Sequence, residues 1–272
     1  MALFPRAIFQ NRQRVARHLG LAATVSFLAL AAAGCASTKS DTTGSIANPT
    51  TRSEAEWRQS AEKSGEQFRN NPNDPDAAMQ YAQALRALGQ RTQAVAVLEQ
   101  AALSSPDNKA LLGAYGKALA DVGQYKQAFD VLERAHTPEN PDWRVLSAQG
   151  AVLDQLGRHQ EAQRYYSSAL KIVPDEPSVL SNLGLSYALG KDLPRAEKTL
   201  RQASSAQKTD PRVRQNLALV VGLQGRFAEA ENIARADLPP DEAASNVAYL
   251  KQMLSQAKAG KKLGGVTPSA GT

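Results

Sequence analysis

The chain has 272 residues, 42% of them apolar and only 6% aromatic, and a single cysteine, which excludes an intramolecular disulfide. Its formal net charge is +6, but the segment ahead of that cysteine, Cys35, holds Arg6, Arg12, Arg14 and Arg17 and no acid. The remainder carries about +2, too little to support a nucleic-acid partner.

Behind those arginines, Leu19 to Ala33 is an apolar run too short to span a bilayer comfortably. A basic stretch, an apolar stretch and small residues at the end describe a secretory signal peptide over 1–34. The junction Ala32-Ala33-Gly34-Cys35 resembles a bacterial lipobox, with Ala32 where leucine is usual. That resemblance implies cleavage before Cys35 and acylation of its thiol with palmitate-like chains. The alternative is an ordinary signal cleaved nearby, leaving Cys35 a free thiol. Ala36 follows the cysteine where an inner-membrane retention signal would place aspartate, so the expected location is the outer membrane, facing the periplasm.

Residues 35–52 are rich in Ser, Thr, Gly and Asn with little to bury, and read as a flexible tether. Over 53–74 one helix is expected, with Trp57, Ala61, Ser64, Gly65 and Phe68 on one face. It ends at Asn71-Pro72 and reads as an N-terminal cap.

The stretch 75–244 is periodic. Ala94, Ala128, Ala162, Ala196 and Ala230 recur at one constant interval. Four residues after the first four of them stand Leu98, Leu132, Tyr166 and Leu200, and seven after stand Ala101, Ala135, Ala169 and Ala203. Twelve before stand Ala82, Gly116, Gly150, Gly184 and Ala218. Gly89, Gly123, Gly157 and Gly225 lie five before, with Gly190 one position early in the fourth unit. This period and pattern resemble the tetratricopeptide repeat, two antiparallel helices (A and B) per unit. Small residues allow close helix approach, and the glycine ends helix A. Pro106 and Pro174 stop helix B. The expected fold is all-α: a right-handed superhelical tetratricopeptide solenoid of twelve helices, counting N- and C-terminal capping helices, and no strand. Asp237-Leu238-Pro239-Pro240 cuts the fifth helix B short. The C-terminal cap is expected over 245–258, presenting Val247, Leu250, Met253 and Leu254, and 259–272 is expected to be disordered.

No arrangement for chemistry stands out. His136 and His159 have no Cys or carboxylate at ligand spacing, and no HExxH, GxSxG, Walker or dinucleotide motif occurs. The acids read as solvated helix faces. No catalytic residue, metal, cofactor or small-molecule substrate is expected; the chain reads as a non-enzymatic binding surface.

In tetratricopeptide proteins helix A lines the concave face, and an asparagine there often bonds a bound peptide's backbone. By that resemblance Asn182 and Asn216 are candidate partner-binding residues, with Leu185, Leu189, Leu219 and Leu223 lining an apolar groove. Packing between neighbouring helices is the alternative role for those leucines. Asn246 echoes the asparagine position in the cap, and Arg144, Arg212 and Arg214 are candidate anion contacts.

The C-terminal stretch narrows the resemblance. Asp210-Pro211-Arg212-Val213-Arg214-Gln215-Asn216-Leu217-Ala218-Leu219, then Gly225-Arg226-Phe227-Ala228-Glu229-Ala230-Glu231, Asp237-Leu238 and Asn246-Val247-Ala248-Tyr249-Leu250 follow one another. This run resembles the TadD family, tetratricopeptide lipoproteins of the tight-adherence apparatus that builds Flp (type IVc) pili. The resemblance implies a pilotin-like assembly factor that binds the secretin or other outer-membrane components, with the lipid anchor holding it to the membrane. The alternative is an adaptor of another envelope machine, the β-barrel assembly complex or peptidoglycan enzymes.

Overall fold

A computed structural model describes residues 52–205 and 210–264. The signal segment, Cys35 and the tether up to residue 51 lie outside the described residues. Among those described there are twelve helices and no strand.

The first, α1 (Glu54–Asn70), starts with a capping box: Ser53 accepts from the Glu56 amide, and Glu56 accepts in return from the Ser53 amide. It lays Ser64, Gly65 and Phe68 against the first repeat, where the Phe68 and Tyr81 rings sit 6.1 Å apart. Five helix pairs follow. The A helices are α2 (Pro75–Ala87), α4 (Lys109–Asp121), α6 (Trp143–Gln155), α8 (Pro177–Leu189) and α10 (Pro211–Leu223). Their starts repeat at the interval of the marker alanines. Each is N-capped by a side chain that accepts a backbone N–H of its first turn: Asp74, Asn108, Asp142, Glu176 and Asp210. The B helices are α3 (Arg91–Ser104), α5 (Tyr125–Glu133), α7 (His159–Ile172), α9 (Leu193–Ser204) and α11 (Phe227–Ala234).

Every recurrent mark has a packing cause. The five marker alanines are fully buried, as are Leu98, Leu132, Tyr166 and Leu200. A Cβ placed on Gly116 would stand 2.5 Å from Leu132 Cγ, one on Gly150 2.7 Å from the Tyr166 ring, and one on Gly184 2.6 Å from Leu200 Cγ. Helix A therefore meets its own helix B backbone to side chain, and the small residue is the condition for contact. At the A–B turns Gly89, Gly123, Gly157 and Gly225 have φ of +76° to +86°. In the fourth repeat, where the glycine comes one residue early, Lys191 takes the left-handed conformation at φ 68°.

Successive A helices touch across every repeat boundary, so they form the inner layer of the solenoid, with the B helices outside. Two B helices are short. The eight residues of α11 end before the Pro239-Pro240 break noted above. The nine of α5, against fourteen in α3 and α7, end five residues before Pro138. Residues 134–142 then run as a loop beside the inner layer.

The last helix, α12 (Pro240–Gly264), starts earlier and ends later than expected, so residues 259–264 are helical rather than disordered. It packs on α10 and α11, with Leu250 over Gly222 and Val247 buried. Met253, expected on the packed side, is 47% exposed. None of the described helices is long and apolar enough to cross a membrane.

Candidate protein-binding groove

The inner faces of α2, α4, α6, α8 and α10 line a groove. Its C-terminal half differs from expectation at the residues chosen for contact. Asn182 and Asn216 are buried, at 7% and 9% exposure. The Asn182 Nδ2 donates to Ser147 Oγ at 3.3 Å, and the Asn216 Nδ2 to Ser181 Oγ at 3.0 Å. Each asparagine thus ties its A helix to the preceding one through its amide nitrogen. Leu185 is wholly buried, which corrects its assignment to the groove surface. Leu189, Leu219 and Leu223 are half-buried.

Two of the three candidate anion contacts are also occupied. Arg212 turns back onto its own N-cap, with Nε 2.9 Å from Asp210 Oδ2. The Arg214 Nε donates to Asp237 Oδ2 at 2.7 Å, across to the segment after α11. Arg144 instead stacks over Trp143, 4.3 Å from the ring centre, and borders a cleft.

That cleft, about 720 Å³, lies in the N-terminal half. It lies between α2, α4 and α6 and is closed on one side by the loop after α5. Its apolar lining includes Met79, Ala110, Ala114 and Trp143; its charged lining is Arg86, Lys109, Lys117, Arg144 and Asp142. Most of these charges are committed. Arg86 Nε donates to Asp121 Oδ2 at 2.6 Å, and Lys109 Nζ to the Arg134 carbonyl at 2.7 Å. Asp142 accepts from the Arg144 amide at 2.7 Å as N-cap of α6. Lys117 is different: half-buried, it makes no hydrogen bond or ion pair among the described residues. Burial, and the neighbouring guanidinium groups of Arg86 and Arg144, hold its ammonium below the usual lysine range against the attraction of Asp142. The signal was present in the sequence. The equivalent positions of the other repeats are Gln83, Ala151, Leu185 and Leu219, so Lys117 alone puts a cation there.

A second polar cluster sits between the third and fourth repeats. Asp154, expected on a solvated face, is 4% exposed. Its carboxylate accepts from Tyr166 Oη at 3.1 Å and Ser186 Oγ at 2.8 Å, and lies 2.9 Å from His159 Nδ1. Burial pushes the Asp154 carboxyl above its ordinary value while these three partners pull it down. Burial and the adjacent carboxylate push the Tyr166 hydroxyl well up. The Ser186 hydroxyl also lies 3.4 Å from the His159 backbone carbonyl, so the four groups satisfy one another across a repeat boundary. Among the described residues no group of three His, Cys, Asp or Glu is placed to hold a metal.

Comparison with known proteins agrees with this architecture. A tetratricopeptide-repeat family profile matches residues 155–220, and one described as anaphase-promoting complex, cyclosome, subunit 3 matches residues 58–135. No curated protein matches the chain. Among solved structures, PilW, a widely conserved type IV pilus biogenesis factor, is similar at TM-score 0.64 and 18% identity, over 71% of this chain and 91% of its own. PilF of Pseudomonas aeruginosa gives TM-score 0.52 and 19% identity over 67% and 81%. A thermophilic tetratricopeptide protein of Thermus thermophilus gives 0.57 and 21% over 65% and 99%. The repeat marks, the A-on-A inner layer and these matches agree: the chain has the fold of a tetratricopeptide-repeat solenoid.

Proposed function

We propose that this chain is a non-enzymatic, lipid-anchored scaffold that binds protein components of a pilus assembly apparatus at the outer membrane, as a TadD-like factor. The observation that carries the binding role is the inner groove itself. Its walls are fixed by packed A helices, and its N-terminal half opens into a cleft with apolar and cationic lining. Rigid walls limit the ordering cost of binding an extended segment. The assignment to a pilus is supported by the sequence over 210–250 and by the likeness in fold to PilW, a type IV pilus biogenesis factor. The anchor is supported by Ala32-Ala33-Gly34-Cys35. Two or three acyl chains at Cys35 would bind a membrane far more firmly than the marginal hold of one myristoyl chain.

The reading is tested by deleting the gene and counting surface pili, with complementation by wild type and by Cys35→Ser. Deletion is expected to abolish pili, and Cys35→Ser to move the protein to the soluble fraction or leave its signal uncut. Unchanged piliation on deletion would overturn the pilus role. A Cys35→Ser protein that is processed and still sediments with membranes would overturn the anchor.

A further inference from the structure

The geometry points to a specific ligand chemistry for the N-terminal cleft: we propose that it takes Asp or Glu side chains of an extended acidic partner segment, with Lys117 as their deepest contact. The proposal rests on the scaffold reading above only in assuming a protein ligand. Four cations and one acid line the cleft. Three of the cations have partners: Arg86 on Asp121, Lys109 on the Arg134 carbonyl and Arg144 on the Trp143 ring. Asp142 is held by the start of α6. What is left without a hydrogen-bond partner is the Lys117 ammonium, drawn partly out of water near Asp142, Arg86 and Arg144, and beside it the buried Nδ1 of His136 in the same lining. A half-buried cation without a hydrogen-bonded partner costs stability unless something supplies the opposite charge. A carboxylate entering the cleft would do so, and would meet Arg144 at the rim.

The apolar half of the lining selects the class of ligand. Met79, Ala110 and Ala114 would be wasted on a phosphate backbone or lipid headgroup, but suit aliphatic side chains that alternate with acids along an extended segment. The groove also selects side-chain carboxylates over a chain terminus. Lys117 lies mid-way along the inner layer's second helix, and α6, α8 and α10 continue the groove beyond it, past half-buried Leu189, Leu219 and Leu223. A segment seated on Lys117 runs on through the later repeats rather than ending there.

The test uses the full mature chain and three fluorescein-labelled, N-acetylated peptides, read by fluorescence anisotropy at low and physiological salt. The first alternates Glu and Leu with an amidated C-terminus; the second replaces Glu by Gln; the third is the Gln peptide with a free carboxylate. The first alone is expected to bind. Lys117→Met, which keeps the aliphatic stem, is expected to weaken it by about tenfold or more, while melting at or above the parent's temperature because an unmet cation is gone. Arg144→Gln is expected to weaken it less, and Lys198→Met, on the exposed face of α9, not at all. Equal binding by Lys117→Met, or by the Gln amide, would overturn the proposal, as would no binding of the Glu peptide. Binding only of the free-carboxylate peptide would replace it with terminal recognition. Displacement of the Glu peptide by phosphatidylglycerol vesicles, but not by excess unlabelled Glu peptide, would replace it with a lipid site. None of these outcomes depends on pili, so the scaffold's cellular role stands or falls separately.

Discussion

The Asn216 amide reaches back 35 residues to donate to Ser181 Oγ at 3.0 Å, and Asn182 repeats the bond one unit earlier to Ser147. All four residues are buried, so each pair is a polar tie between successive A helices. Removing the amide strands a buried serine hydroxyl. Asn182→Ala and Asn216→Ala are each expected to cost about 1–2 kcal/mol in urea melts, and the pair about the sum. A double variant as stable as the parent would return the asparagines to the groove surface.

Asp154 sets a pH dependence. Its folded carboxyl titrates above its unfolded value because burial outweighs its three hydrogen-bonding partners. A raised carboxyl favours folding fully below the unfolded value, and that advantage is lost as pH rises through the folded one. Asp154→Asn removes the titration. The stability of the parent relative to this variant is therefore expected to fall as pH rises from the ordinary aspartate range toward neutrality, measured by chemical melts at stepped pH. A difference that grows with pH would show that the partners, not burial, dominate.

Lys191 pays for a misplaced glycine. The other four A–B turns put glycine in the left-handed conformation, but here Gly190 has an ordinary φ of −74° and lysine takes the strained position at 68°. Left-handed backbone costs a residue with a Cβ about 1–2 kcal/mol, partly offset by the entropy glycine loses on folding. Lys191→Gly is expected to raise stability by about 0.5–1 kcal/mol. A lower melting temperature would mean the lysine side chain contributes more than its backbone costs.

Gly150 faces the opposite constraint. A methyl there would stand 2.7 Å from a Tyr166 ring that is fully buried and tied by its hydroxyl to Asp154. The ring cannot swing aside without breaking that bond, so Gly150→Ala is expected to cost about 1–3 kcal/mol despite its better helix propensity. Gly150→Ala with Tyr166→Leu should recover part of the loss by giving the methyl a more adaptable neighbour. Full tolerance of the single change in a thermal melt would show that α6 and α7 are farther apart than the structure places them.

The sequence by itself determined the solenoid, because its marks encode requirements met within one unit. A small residue opposite a large one, a glycine at a turn and an acid or amide at a helix start recur once per unit, whatever the neighbouring unit holds. Register, repeat number and helix order all follow from them. What only the tertiary structure decided is which polar side chains are buried, since that depends on the face of the next repeat. Asn182 and Asn216 matched a ligand-reading pattern, yet a serine one unit back takes up their amides. Asp154 looked like any surface acid until Tyr166 and Ser186, two residues that depart from the apolar residues at equivalent positions in other repeats, closed over it. The cleft around Lys117 likewise needs three helices and the loop left by a short α5 to exist at all. Periodicity sets where a side chain stands on its own helix; whether it meets water, a partner or another side chain is settled by what packs against it.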